Sequence, residues 1–231
     1  MQWLAHYDQG VPETVGPYPE RTLLDDLTDA AAERPGAPAL LFKGRAISHG
    51  ELDRRSDAFA AALAGLGVAR GDRVALLLPN CPQFLVCELG AWKAGAIVHP
   101  LNPIYTTQEL QGALARTGAE TIVVLTPFYA RVKAAQPRTA LRKVIATNVK
   151  EYLPPLLRVL FTLAKERKDG HRVRLREGDL WLGDLLDRLG AEGPSFLYLG
   201  DVMEDGTYTE YINYYAPTLG PLRNITNPVV G

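Results

Sequence analysis

The stretch GDRVALLLPNCPQFLVCELGAWKAGAIVHPLNPIY, residues 71–105, decides the fold class. Its apolar run at 74–78 predicts a β-strand, which the proline and asparagine directly after it end. Pro82 then suits the first turn of a helix, because a backbone N–H at that position has no partner within the helix. The stretch therefore begins with a strand that leads into a helix.

The second half of the stretch predicts the end of this helix and a second strand. Lys93 lies in the last turn of the helix, and Gly95 is the residue type that most easily adopts the left-handed conformation of a helix cap. A short strand at 96–98 comes next, and the proline-rich run 100–103 ends it. A strand, a helix and a strand in this order predict a parallel sheet with helices on its faces.

The same alternation continues on both sides of this stretch. Upstream, we predict a helix from Thr22 to Pro35, a hairpin over 39–47, and a helix that begins at the capping box Ser48–Glu51 and ends before Gly67. Downstream, we predict a helix from Thr106 to Gly118, a strand at 121–125, a short helix at 127–135 and a strand at 143–147. The expected fold is therefore α/β, with a doubly wound, mostly parallel sheet flanked by helices.

Composition divides the chain into three predicted parts. Residues 1–20 hold proline and glycine–proline turns and are expected to form an extended arm, and residues 21–190 hold the α/β subdomain. Residues 191–231 lose almost all alanine and basic residues and hold five of the ten tyrosines, so this tail has no assigned origin. We expect it to be irregular or a β-hairpin with a turn at Asp205-Gly206.

Charge and cysteine content exclude several classes of function. The chain has 231 residues and a net charge of −1, which gives no overall attraction to nucleic acid or to anionic lipid. Cys81 and Cys87 lie six residues apart and are expected to be buried free thiols rather than metal ligands or a redox pair. The N-terminus lacks the basic and apolar regions of a secretory signal, and no apolar stretch is long enough to span a bilayer, so we expect a cytoplasmic location.

Four blocks of the sequence together resemble a known family. They are GDRVALLLPN, WKAGAIVHPLNPIYT, the run 47–68 (ISHGELDRRSDAFAAALAGLGV) and the run 152–173 (YLPPLLRVLFTLAKERKDGHRV). Because of these four blocks, residues 17–190 resemble the N-terminal part of the adenylate-forming acyl-CoA synthetases, the long-chain fatty-acid–CoA ligase branch in particular. The resemblance implies ATP, Mg²⁺, CoA and a fatty acid: the carboxylate attacks the α-phosphate of ATP to give an acyl-adenylate, and the CoA thiol then displaces AMP.

The residues that hold the triphosphate in this family have no counterpart in the sequence. The family's Ser/Thr/Gly-rich loop with its lysine is expected soon after residue 190 and does not occur, nor do the later blocks for adenine, ribose and the catalytic lysine. We therefore assign no catalytic, cofactor-binding or metal-binding residue. We expect a truncated fatty-acid–CoA ligase that is inactive alone and binds none of these cofactors tightly. The alternative is a non-catalytic binding or assembly module derived from such a synthetase.

Three further features favour structural interpretations. Gly65, Gly67 and Gly71 are expected to end a helix rather than to hold a phosphate. His99 follows a strand, where α/β proteins bind ligands, but is expected to be an ordinary hydrogen-bonded histidine. The acidic residues of the N-terminal helices, including Asp53 and Asp57, are expected to lie on solvated faces. The resemblance also implies that part of the family's substrate pocket wall survives around residues 100–106, where we assign no role to single residues.

The segment 150–176 allows two interpretations. Leucines at helical spacing are interleaved with and followed by lysines and arginines. An apolar face beside a basic end is typical of helices that lie on anionic membranes, and this would suit an enzyme that collects fatty acids. The alternative is a surface helix that packs on its own domain, with long basic side chains covering apolar area.

Overall fold

The sheet predicted from residues 71–105 forms the centre of a computed structural model that describes residues 2–14, 16–17, 20–191, 198–202 and 208–212. The helices are α1 (Leu23–Glu33), α2 (His49–Gly65), α3 (Pro82–Lys93), α4 (Thr107–Thr117), α5 (Tyr129–Ala135), α6 (Pro155–Ala164) and α7 (Leu182–Ala191). The strands are β1 (Pro38–Phe42), β2 (Arg45–Ser48), β3 (Arg73–Leu77), β4 (Ile97–Pro100), β5 (Thr121–Leu125), β6 (Lys143–Thr147), β7 (Leu180–Trp181), β8 (Tyr198–Val202) and β9 (Tyr208–Ile212).

Five strands form one parallel sheet in the order β4-β3-β5-β6-β7. Its side chains alternate between two cores because successive residues of a strand point to opposite faces. Val74 and Leu76 join one core, which α2, α3 and α7 cover, whereas Ala75 and Leu77 join the other, which α4 and α5 cover. Helices thus lie on both faces of the sheet, and the doubly wound α/β prediction is confirmed.

Helices α1 and α4 begin with complete capping boxes. At Thr22 and Thr106 the hydroxyl accepts a hydrogen bond from the backbone N–H three residues on, and the carboxylate there accepts one in return. At Ser48 the prediction is half wrong: the hydroxyl accepts from Glu51 N, but the Glu51 carboxylate binds Arg45 (2.7 Å) and Arg55 (2.9 Å) instead. Two nearby guanidinium groups compete successfully with one backbone N–H because they are cations, so that both partners of each bond are ionised.

The contact between α2 and α3 also corrects an expectation. Asp53 and Asp57 do not lie on a solvated face: Lys93 Nζ from α3 lies 2.6 Å from a carboxylate oxygen of each. The Lys93 side chain is only 13% exposed, and burial raises the pKa of Asp57, an effect that Lys93 opposes. The helices approach closely because residue 90 is glycine, where an added Cβ would lie 2.6 Å from the Ser56 carbonyl oxygen.

Most of the remaining elements agree with the predictions within a few residues. The β1–β2 hairpin turns at Lys43 and Gly44, both with positive φ, and the helix predicted at 127–135 begins as a 3₁₀ turn before α5. Strand β7 and helix α7 were not predicted. In the tail, β8 and β9 pair antiparallel, as the hairpin prediction requires, while its turn at 205–206 lies outside the described residues.

Candidate site at the carboxyl edge of the sheet

Parallel strands end at a common edge of their sheet, and α/β proteins bind ligands there. In this chain the edge is formed by the residues that follow β3, β4, β5 and β6. They comprise Leu78 to the start of α3, the loop 101–106, Thr126, and the turn 148–152. The two halves of this edge, β5–β6 and β3–β4, differ in how they are covered.

The β5–β6 half is closed by a hydrogen-bond network around Asn148. The Gln83 amide at the start of α3 donates to the Asn148 carbonyl oxygen (3.0 Å). The Asn148 side-chain amide in turn donates to Glu166 Oε1 (3.2 Å) and to the His171 carbonyl oxygen (3.1 Å). Lys150 Nζ pairs with the same carboxylate at 2.5 Å. These bonds hold the segment that follows α6 over the ends of the two strands.

The turn that follows β6 is fixed by its own carboxylate. Glu151 accepts hydrogen bonds from the Thr147 hydroxyl and from Asn148 N, both at 2.8 Å. Burial raises the pKa of Glu151, and these two bonds oppose the increase because they favour the ionised form. The guanidinium groups of Arg45 and Arg55 lie over the adjacent Tyr152 ring, 5.3 and 5.1 Å from its centroid. Burial raises the pKa of Tyr152, so its hydroxyl stays protonated at neutral pH.

The β3–β4 half is more open. Asn80 and Ile104 are exposed, and β4 is the edge strand of the sheet. Arg131 from α5 fixes the adjacent loop, since its Nη1 donates to the carbonyl oxygens of Pro103 (2.8 Å) and Tyr105 (2.7 Å). The stretch 100–106, where a pocket wall was expected, is therefore an ordered loop beside an open edge.

The candidate residues named from the sequence take structural positions. His99 Nδ1 lies 3.2 Å from the Thr117 hydroxyl, and burial, assisted by Arg116, lowers its pKa. Both cysteines are buried free thiols; burial raises the pKa of Cys81 to about 11 and that of Cys87 well above its usual value. Such thiols carry almost no thiolate at neutral pH and are poor nucleophiles.

The glycine cluster after α2 does not lie at the carboxyl edge of the sheet. Gly67 and Gly71 adopt positive φ between the end of α2 and the start of β3, which is the opposite edge of the sheet. No three His, Cys, Asp or Glu side chains in the described part of the chain are placed to hold a metal ion. Gln83 Oε1 is buried and lacks a hydrogen-bond partner among the described residues. The other polar groups of the closed half bond one another, so the arrangement orders the loops at this edge.

Sequence reasoning missed Asn148 and Arg131. Asn148 directly follows a buried strand, and that position was a usable indication, because polar residues after strands lie at the ligand-binding edge. Arg131 gave no comparable indication, since its partners are backbone carbonyl groups 26 and 28 residues away.

The comparison with family models matches residues 27–176 to the model described as AMP-binding enzyme. The chain belongs to the AMP-binding enzyme family. Among the curated relatives, a long-chain-fatty-acid–CoA ligase of Bacillus subtilis (strain 168) is 34% identical over 166 residues, which are 72% of this chain and 30% of the relative. One from Escherichia coli O6:H1 is 37% identical over 152 residues, 65% of this chain and 27% of the relative. The chain thus spans less than a third of either relative.

Solved structures support the AMP-binding fold. An anthranilate CoA ligase in complex with anthranoyl-AMP superimposes with a TM-score of 0.58 at 19% identity, over 71% of this chain and 27% of that one. A long-chain-fatty-acid–CoA ligase from Archaeoglobus fulgidus gives a TM-score of 0.55 at 20% identity, over 78% of this chain and 32% of that one. At these identities the likeness establishes the fold alone.

Proposed function

We propose that this chain forms the N-terminal α/β part of a fatty-acid–CoA ligase and does not itself activate a fatty acid. The observation that carries the proposal is the match to the two bacterial long-chain-fatty-acid–CoA ligases, at 34% and 37% identity. In the complete enzyme the reaction would use ATP, Mg²⁺ and CoA to convert the carboxylate first to an acyl-adenylate and then to a thioester. A cytoplasmic location is part of this proposal.

This chain's own contribution is positioning. Arg131 holds the loop 101–106, and the network around Asn148 closes the neighbouring strand ends, so the edge presents a fixed surface to whatever lies against it. A preformed wall lowers the entropy cost of orienting a substrate. The groups that grip the triphosphate would come from the rest of the ligase, because the family's Ser/Thr/Gly-rich loop with its lysine has no counterpart in this sequence.

A chimera tests the proposed assignment to the fatty-acid–CoA ligases. The aligned segment of the Bacillus subtilis ligase is replaced by residues 27–176 of this chain, and long-chain acyl-CoA formation is measured. We expect measurable ligase activity, and its loss when the chimera also carries Arg131→Met, which releases the loop 101–106. A correctly folded chimera without activity on any fatty acid would refute the assignment.

The isolated chain tests the second half of the proposal. With ATP, Mg²⁺ and palmitate, we expect no pyrophosphate release and no increase in melting temperature. Acyl-adenylate formation by the 231-residue chain would show that its own residues suffice, while leaving the family assignment intact.

The second candidate function is a non-catalytic assembly module. It is favoured by the open edge of the sheet, where β4 exposes Ile97 to solvent at 53%. An exposed edge strand is a ready pairing site for another strand. A stable complex between the isolated chain and the separately expressed remainder of the ligase, formed without recovery of activity, would distinguish this candidate from a catalytic one.

A further inference from the structure

We propose that α6 and the basic segment after it, residues 165–176, bind the surface of an anionic lipid bilayer. We call the exposed apolar stripe of α6 together with this segment the α6 surface. Lipid binding by this surface does not depend on the proposed function. It corresponds to the first of the two interpretations that the sequence left open for 150–176.

The apolar stripe of α6 faces solvent. Its members are spaced three or four residues apart, which places them on one side of a helix. They are exposed as follows: Leu156 71%, Val159 56%, Leu160 51% and Leu163 81%. No residue of α6 is buried. The alternative, a helix that packs its apolar stripe on its own domain, is therefore not what the structure shows.

The rest of α6 holds the helix in this orientation. The Phe161 ring packs edge-on against His171, with centroids 5.1 Å apart, and His171 Nδ1 lies 3.0 Å from the Thr126 hydroxyl. The Arg158 guanidinium group donates to the carbonyl oxygens of Lys150 (3.0 Å) and Glu151 (2.8 Å). The stripe is thus presented outward by a helix that is anchored through its other side.

The segment after α6 is strongly basic. It holds six lysines and arginines against two acidic residues, in a chain whose net charge is −1. One of the two acids, Glu166, is buried and already paired with Lys150. Over residues 172–176 the side chains alternate: Val173 and Leu175 pack against the core, and the three arginines between and beside them are exposed. The six cations are Lys165, Arg167, Lys168, Arg172, Arg174 and Arg176, and none forms an ion pair with another described residue.

This combination identifies the partner's chemistry. A purely apolar protein partner would cover the leucines and gain nothing from the adjacent cations, and the cores of protein interfaces are depleted of charge. An anionic bilayer satisfies both, because the apolar stripe enters the boundary between headgroups and acyl chains while lysine and arginine meet the phosphates. No helix of the described residues is long and apolar enough to cross a membrane, so α6 would lie in the plane of the interface.

The test is co-sedimentation of the full 231-residue chain with vesicles of phosphatidylcholine and phosphatidylglycerol in a roughly 4:1 ratio. We expect binding at about 0.1 M NaCl that weakens at about 0.5 M, and far weaker binding to pure phosphatidylcholine, because screening weakens attraction between exposed charges. Leu156→Asp and Leu160→Asp are each expected to reduce the partition coefficient at least roughly tenfold. The loss of each favourable lysine or arginine contact is worth about fivefold in the partition coefficient. Arg167→Glu with Lys168→Glu is expected to reduce the coefficient by more than two such losses, because each substitution also adds a negative charge that the bilayer repels.

Matched controls separate this surface from general stickiness. Leu23 is 68% exposed in the first turn of α1, so Leu23→Asp introduces the same change at a similar exposure and should leave binding unchanged. Arg138→Glu with Arg188→Glu changes the net charge by the same amount as Arg167→Glu with Lys168→Glu, but at exposed positions outside the α6 surface. This control should weaken binding less. Circular dichroism confirms folding of every variant.

Four outcomes would overturn the proposal. The first two are no binding to anionic vesicles and equal loss in the control variants. The third is salt-insensitive self-association through α6, detected by light scattering and abolished by Leu160→Asp, which would make the stripe an interface between copies of the chain. The fourth is a complex with an acidic protein but not with vesicles.

Discussion

Helices α4 and α6 have the same kind of apolar periodicity, but the apolar side of α4 faces the sheet and that of α6 faces solvent. In α4, Leu110, Ala113 and Leu114 are buried against the sheet at 0%, 3% and 0% exposure. In α6, a stripe with the same three- and four-residue spacing is more than half exposed along its length. Periodicity therefore shows that a helix has an interface, but what covers that interface depends on the elements that surround it.

The largest test of this difference is one substitution made in both helices. Leu114→Ala should lower the free energy of unfolding by about 2–5 kcal/mol, because it leaves a cavity in a packed core. Leu160→Ala should change it by less than about 0.5 kcal/mol, because an exposed side chain loses little burial. Urea unfolding followed by circular dichroism measures both. Equal losses would mean that α6 is covered in solution by something that the isolated fold does not provide.

A second pair of substitutions distinguishes a crowded helix from an uncrowded one. Gly90→Ala in α3 would bring a Cβ within 2.6 Å of the Ser56 carbonyl oxygen and 2.9 Å of Phe59, so we expect a loss of about 1–3 kcal/mol. Gly112→Ala in α4 meets only the end of the flexible Arg116 side chain at 3.6 Å, so we expect a gain of about 0.5–1 kcal/mol from helix propensity.

Chemical denaturation of the two variants beside the parent chain gives both free-energy changes. If Gly90→Ala were neutral, α2 and α3 would have to separate at little cost, and the ion pairs of Lys93 with Asp53 and Asp57 would then lengthen. If Gly112→Ala were also destabilising, the outer side of α4 would be in contact with other parts of the chain.

Local patterns account for the elements that the sequence predicted correctly. Thr106 with Glu109, Pro82 and Gly118 each act within one turn of their own helix, and strands β5 and β6 begin and end at the predicted residues. The Glu51 carboxylate was misassigned because its partner Arg45 comes from the neighbouring hairpin. Helix α7 was overlooked although Leu182, Leu185 and Leu186 have helical spacing.

The candidate site was less accessible from the sequence because its contacts are long-range. Gln83 and Asn148 are 65 residues apart, and Arg131 binds carbonyl groups that any sequence would supply. The face of α2 that carries Asp53 and Asp57 was expected to be solvated, but Lys93 from α3 pairs with both carboxylates and partly buries them. What the sequence did indicate was the resemblance to the acyl-CoA synthetases, which depends on several blocks together rather than on any one contact.

The smallest expected effect is on the pH dependence of the free energy of unfolding. It comes from two histidines that lie against these helices, His99 against α4 and His171 against α6. Burial lowers the pKa of both imidazoles; Arg116 adds to the decrease at His99, whereas Asp169 and Glu166 oppose it at His171. Below the ordinary pKa of about 6.5, the unfolded chain takes up protons that the folded chain does not. The free energy of unfolding should therefore fall as the pH decreases from about 6.5 and be unaffected by these groups above it.

Replacing each histidine isolates its share of this pH dependence. His99→Asn and His171→Asn should each flatten the decrease in the free energy of unfolding between about pH 6.5 and 5.5, measured by urea titrations at each pH. The raised pKa values of Asp57 and Glu151 act in the opposite direction, since acid favours their folded forms, so only the difference from the parent chain is informative. An unchanged slope in His171→Asn would mean that the imidazole beside α6 is as solvated as in the unfolded chain. Because His171 anchors α6 through Phe161, that result would also question the orientation in which the helix presents its leucines.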